Sequence, residues 1–374
     1  MREYYSSTKI IAPINLIRTF FLLTFLLLLG ACSELGYYWQ TTNGHMVLMN
    51  KRVDIEVMLE DPELEPKLRQ RLQLVQAIRL FSVEALSLPE SASYSKYVQL
   101  DRPYALQNLF AAPEFSTNLH VWCYPIAGCA GYRGYYDENL LAEYAGQLKA
   151  QNFDTHISNV PAYSTLGWFD DPVLSSFIYW PDYRLAGLLF HELTHQRIFV
   201  KNDTQFNESL AVAVQQAGTG LWLRSSHRSS QQEEFERWIE YQQEVIELIE
   251  ATRARLAELY RVGTSAKTKR DQKQVIFADA RQSYSRLALR LNYRGGYENW
   301  FAGELNNAKL GSVAAYYAHI PAFLAILKAR NFDFSAFFDT VEVISEMDKT
   351  ERDACLVLWS EGKLTGNDNC PDQS

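Results

Sequence analysis

The sequence contains no cluster of lysine and arginine, no low-complexity tract, no internal repeat and no apolar run long enough to span a bilayer comfortably. Each absence closes off a class. Phosphate neutralisation needs concentrated basic side chains, and here 36 Lys and Arg are dispersed along a chain of net charge −8, so nucleic acid is not an expected partner. Cysteine is scarce, five in 374 residues; this is no disulfide miniprotein, and the spacings are unlike the C-x2-C of zinc knuckles. With 47% hydrophobic and 21% charged residues, the chain can bury a core rather than remain disordered. Its length suggests two domains of roughly 150 residues each, or one large α+β unit.

Residues 1–18 hold Arg2, Lys9 and Arg18 against Glu3, and residues 20–29 follow without a charge. A basic start, a short apolar stretch and then small residues make a secretory signal peptide over 1–31. The stretch ends Leu29-Gly30-Ala31-Cys32, which resembles the lipobox of bacterial lipoproteins, whose cysteine becomes the acylated first residue. Cys32 is therefore the expected lipidation site, and the membrane an expected partner through it. Ser33 rather than Asp follows, so the resemblance implies the outer membrane, facing the periplasm. Removing 1–31 takes away three positive charges and one negative, which leaves −10 on 343 residues. Cys123, Cys129, Cys355 and Cys370 then form an even set in an oxidising compartment. Of three possible pairings the local one is expected, Cys123 with Cys129 and Cys355 with Cys370.

Apolar residues recur at three- and four-residue steps from 36 to 88, broken at Pro62 and Pro66, so 32–95 reads as a helical N-terminal stem. The body, 96–374, begins with strand-like pieces at 97–100, 119–124 and 132–136, expected to form one small mixed sheet. A helix should open at Asp137 and run to about 151, followed by a strand at 155–160. Helices are expected over 182–200 and 206–225. A long two-faced helix from 229 to about 261, a turn at Gly263-Thr264-Ser265 and a return from 267 to about 292 make an inserted helical hairpin at about 228–292. Such an arm can dock a protein partner.

His191-Glu192-Leu193-Thr194-His195 is H-E-x-x-H within an apolar helix. At 3.6 residues per turn the two imidazoles lie one above the other and can share one zinc ion, with Glu192 a step around toward the metal's water. Two His and a Glu on an apolar helix would be costly to bury without partners. Zinc still lacks a protein ligand, and the downstream candidates are Asp203 and Glu208. Ile198 and Lys201 stand where a metzincin needs its Gly and third His. Phe206-Asn207-Glu208-Ser209-Leu210-Ala211 resembles the N-E-x-x-A element of gluzincins, which implies a His2Glu site completed by Glu208. Asp203 would then cap the second helix or orient a ligand imidazole.

These residues are similar to those of a proteobacterial family of zinc aminopeptidases, distantly related to the thermolysin-like gluzincins. The likeness runs through Ala127-Gly128-Cys129-Ala130-Gly131-Tyr132-Arg133-Gly134-Tyr135, the segment from Ala162 through Trp168-Phe169-Asp170-Asp171-Pro172, the zinc segment, Leu305-Asn306-Asn307-Ala308, Tyr316 and Ile320-Pro321-Ala322-Phe323. It implies a mostly helical α+β fold with a thermolysin-like zincin core, a Zn2+ cofactor and peptide substrates. It also implies water-attack hydrolysis with Glu192 as general base. Tyr316 is the implied donor to the oxyanion, ahead of Tyr317 and His319, and residues 163–169 are the expected edge for substrate backbone. The G-x-M-E-N element of the large aminopeptidases is missing, leaving Asp170 or Asp171 to hold a substrate's free amine. The alternative function is a non-catalytic envelope lipoprotein that binds peptides or assists assembly and retains the zinc site.

Overall fold

The computed structural model describes residues 34–124, 128–162, 165, 169–226, 228–293, 295–314, 317, 319–365 and 370. It is mostly helical with three small sheets. The chain starts with α1 (34–50), β1 (Val53–Asp54), α2 (Ile55–Glu60) and α3 (Pro66–Glu84), a helix entered through Pro66 and capped by the Glu65 carboxylate. Residues 34–95 do not stand apart as a stem. Leu48, Met49, Ile55, Leu72, Val75 and Ile78 lie in the main core together with the helices that carry the site. Arg71 fastens α3 down by donating to Ile178 O and Trp180 O, each at 2.7 Å. The periodicity marked these residues as apolar, and their partners lie a hundred positions downstream.

The strand-like pieces belong to three sheets rather than one. β2 (Lys96–Val98) pairs antiparallel with β1 and parallel with β8 (Val173–Leu174). β3 (Leu106–Pro113) is the centre of a second, antiparallel sheet between β6 (Arg133–Tyr135) and β7 (Phe153–Val160), with Leu109 opposite both Arg133 and Ile157. β4 (Trp122–Tyr124) and β5 (Gly128–Ala130) form a hairpin, and a disulfide joins Cys123 to Cys129 within it. β3 went unforeseen because it is buried on both faces and lacks alternation. Leu109 and Ala111 pack on Leu141, Ala145 and Leu148 of α4 (Glu138–Ala150), while Phe110 and Ala112 meet Ala308 of α10 (Asn307–Ala314).

The functional helices are α5 (Asp182–Arg197) and α6 (Thr204–Ser225). Leu185, Leu189 and Phe190 of one and Phe206, Leu210 and Val214 of the other are fully buried, and burial of such side chains contributes roughly 1.5–3 kcal/mol apiece. A Cβ added to Gly187 would lie 3.1 Å from both Gln215 Cγ and Thr219 Oγ1, so glycine permits the close approach of the two helices there.

α7 (Ser229–Arg261) and α8 (Ala266–Leu291) make a long antiparallel pair, followed by the short α9 (Glu298–Ala302). Tyr241, Val245, Ile249 and Leu256 pack on Ile276, Phe277, Ala280 and Tyr284. The pair does not project freely, because Lys273 Nζ meets Asp154 at 2.6 Å with both side chains largely buried, and Tyr260 donates to Asn307 at 2.9 Å. α11 (Ile320–Ala329), α12 (Phe334–Glu346) and α13 (Lys349–Ser360) back the core, and Cys355 of α13 is joined to Cys370. Among the described residues no helix is long and apolar enough to cross a membrane.

Candidate metal centre

α5 presents His191 and His195 on one face, and the turn into α6 brings Glu208 to them. The Asn207 side chain holds that turn from within, accepting from Val200 N–H and donating to Val200 O, each at 2.8 Å. Asp203 caps α6 by accepting from Phe206 N–H at 3.2 Å. His191 Nε2 lies 3.2 Å from His195 Nε2 and 3.2 Å from Glu208 Oε2, which is 3.7 Å from His195 Nε2. With zinc–ligand bonds of about 2.0–2.2 Å, a tetrahedral site has ligand-to-ligand edges of about 3.4 Å, and these separations straddle that length.

Electrostatics point the same way. Glu208 Oε2 is buried against the imidazole nitrogens of His191 and His195, and a buried carboxylate costs free energy unless such neighbours or a cation satisfy it. Burial alone would raise the Glu208 carboxyl, but His195 and His191 more than offset it and bring it down to about 2. For His191, burial opposes protonation, yet the hydrogen bond and charge of Glu208 push its pKa up, aided by Glu192 and by Gln215. An anionic carboxylate facing two imidazole nitrogens in a buried pocket is a donor set suited to a divalent cation with one open position. Among the described residues, His191, His195 and Glu208 are the group of three that converges in this way.

Glu192 lines the same cavity, and burial, together with the nearby Glu208 charge, pushes its carboxyl up against the opposing pull of the imidazoles. The cavity is about 700 Å³ and largely apolar, walled by Tyr37 and Tyr38 of α1, Leu106 of β3, Tyr132, Val160 and Phe199. Sequence reasoning gave Tyr132 no role. It lines the cavity near Glu208 and Glu192, whose charges add to burial in pushing its phenol up. Asn202 was also missed; its side chain accepts from Cys129 N–H at 2.8 Å and ties the disulfide hairpin to the α5–α6 turn. Neither residue carries a local signal, since both act across long sequence separations.

Other expected site residues do not converge with these three. Asp203 is not part of the converging group, because its oxygens are taken by Arg352 at 2.7 and 3.1 Å, Lys349 at 3.3 Å and the helix cap. The Asp171 carboxylate accepts from Thr165 N–H and Oγ1 at 2.8 and 2.9 Å, and Asp170 faces Lys96 at 3.7 Å. Neither lines the cavity, so among its described lining residues the carboxylates are Glu192, Asp203 and Glu208. His319 turns toward Asp353 at 3.8 Å, while the half-buried Tyr317 lies beside Tyr297, and burial of its phenol, Tyr297 and the Glu208 charge push its pKa up. Tyr316 and Cys32 lie outside the described residues, as does most of the expected edge over 163–169.

No curated protein and no solved structure matches the chain. A family profile described as "Putative aminopeptidase" matches residues 36–356, which take in both site helices and the cavity walls, and the chain belongs to that family.

Proposed function

We propose that this chain is a zinc-dependent peptidase of the bacterial envelope, held to the membrane through Cys32. The observation that carries the reading is the triangle of His191 Nε2, His195 Nε2 and Glu208 Oε2 at tetrahedral-edge separations beside an apolar cavity. These three side chains would hold the metal, which when bound supplies a polarised water and a Lewis acid for the scissile carbonyl. Glu192 follows His191 directly on the cavity wall, and its raised pKa suits a group that takes a proton from water and returns it to the leaving amine. Asn207 and Asp203 hold the turn and the cap that aim Glu208. The tyrosine-rich wall receives substrate side chains, and Tyr316 is assigned as oxyanion donor on the family resemblance.

Metal analysis and turnover on a peptide library test this together. Wild type is expected to bind about one zinc and cleave, while Glu192→Gln binds zinc and does not cleave, with a loss of about 10²–10⁴-fold. Zinc bound by wild type with no peptide cleaved would favour a peptide-binding lipoprotein, and absence of zinc would refute the metal site.

A further inference from the structure

Helix α1 turns one face inward and leaves the other exposed. Tyr37 packs against Tyr124 with ring centroids 6.1 Å apart, Gln40 accepts from Tyr136 N–H at 2.8 Å, and a Cβ on Gly44 would run into the Tyr136 ring. On the opposite side Leu35, Trp39, Thr42 and Met46 follow at steps of four, three and four, the repeat of a single helical stripe. Leu35, Trp39 and Met46 are 72%, 73% and 47% exposed. Between Glu34 and Lys51 the helix has no Asp, Glu, Lys or Arg. The water-facing side of a surface helix ordinarily carries such charges. An exposed stripe of Leu, Trp and Met without charges, bounded by Lys51-Arg52, instead suits a helix lying among lipid headgroups, where indole and aliphatic groups enter the apolar boundary.

The position of the stripe along the chain names the occupant. The described part of α1 begins at Glu34, two residues after Cys32 and shortly after the uncharged stretch 20–29. Two extended residues reach roughly 7 Å at most, so an anchor at Cys32 holds the start of α1 within the headgroup layer, into which interfacial helices sink by about 5–10 Å. We propose that the Leu35–Trp39–Met46 face of α1 is seated on the phospholipid bilayer that receives Cys32. This rests on the anchoring part of the proposed function and is independent of the peptidase part. Its consequence for the site is direct. Tyr38, beside the seated stripe and 43% exposed, also lines the catalytic cavity, so the cavity takes peptides presented at the membrane surface.

Quenching of tryptophan emission by lipids brominated near the headgroup tests the seat, with the full chain reconstituted in phosphatidylethanolamine–phosphatidylglycerol vesicles. One of eight tryptophans sits on the stripe, so wild type should lose up to about an eighth of its emission. Trp39→Phe, at an exposed position that tolerates the change, should abolish that component, and Leu35→Asp combined with Met46→Asp should reduce it by at least half. Vesicle-bound wild type with quenching unchanged by Trp39→Phe would overturn the seat while leaving the anchor intact. Wild type that fails to float with vesicles would overturn anchor and seat together, with peptide turnover by the soluble chain unaffected. A concentration-dependent dimer lost on Leu35→Asp, without quenching, would assign the face to a second copy and overturn the proposal.

Discussion

Replacing Arg352 by methionine should weaken both the fold and the proposed metal centre, although Arg352 touches none of the three proposed ligands. Its guanidinium donates to Asp203 Oδ2 at 2.7 and 3.1 Å and to Met347 O at 2.6 Å, and the two side chains are 5% and 2% exposed. Breaking one side of a buried pair costs about 3–5 kcal/mol, because the other charge stays buried. Lys349, half-exposed at 3.3 Å, and the Phe206 N–H remain to Asp203, so the lower end, about 3 kcal/mol, is expected. Asp203 caps α6 five residues before Glu208, and loss of a support of this kind typically lowers metal affinity about 10–100-fold. Urea unfolding of the zinc-loaded and chelated chain, with a competition titration for zinc, measures both effects. Burial alone would raise the Asp203 carboxyl, but Arg352, the cap and Lys349 more than offset it and hold it below its ordinary value. Its stabilisation is therefore complete above an unfolded value of about 3.9, is lost as pH falls through the lower folded value, and should vanish from the acid limb of the variant. A stability change under about 1 kcal/mol, with zinc affinity and the acid limb unaltered, would refute the reasoning.

Lys273→Met removes the buried cation that joins α8 to Asp154; about 3 kcal/mol of stability should be lost, with faster amide exchange in α8, and unchanged exchange would count against a fastened hairpin. Chelation should lower Tm, since zinc at a thousand times its Kd stabilises by about 4 kcal/mol; an unmoved Tm would speak against the metal centre.

The long helices were legible because each has one apolar face. Residues 229–261 repeat Phe235, Trp238, Val245 and Ile249 at helical steps, and the structure runs that helix from Ser229 to Arg261. His191 and His195 were legible as a pair because four residues is nearly one turn. β3 was not, since a strand covered on both faces lacks the alternation that identifies one. Nor was the separation of the strands into three sheets, because pairing such as Tyr97 with Val173 is decided across 76 positions. At the site, Asn207 looked like one letter of a motif, and only the folded turn gives it work, with both ends of its amide on Val200.

Gly187 has no functional group, yet it sets a tolerance for the proposed chemistry. It lies one turn before His191 on α5, and across from it are Gln215 and Thr219 of α6. Metal bonds accept errors of only about 0.2 Å, whereas a Cβ held 3.1 Å from Gln215 Cγ and Thr219 Oγ1 would force a neighbour to yield by a few tenths of an ångström. The missing methyl therefore acts as a spacer gauge between two rods, one bearing the imidazoles and the other the carboxylate. An alanine at 187 could leave every ligand in place and still mis-set the bite of the site.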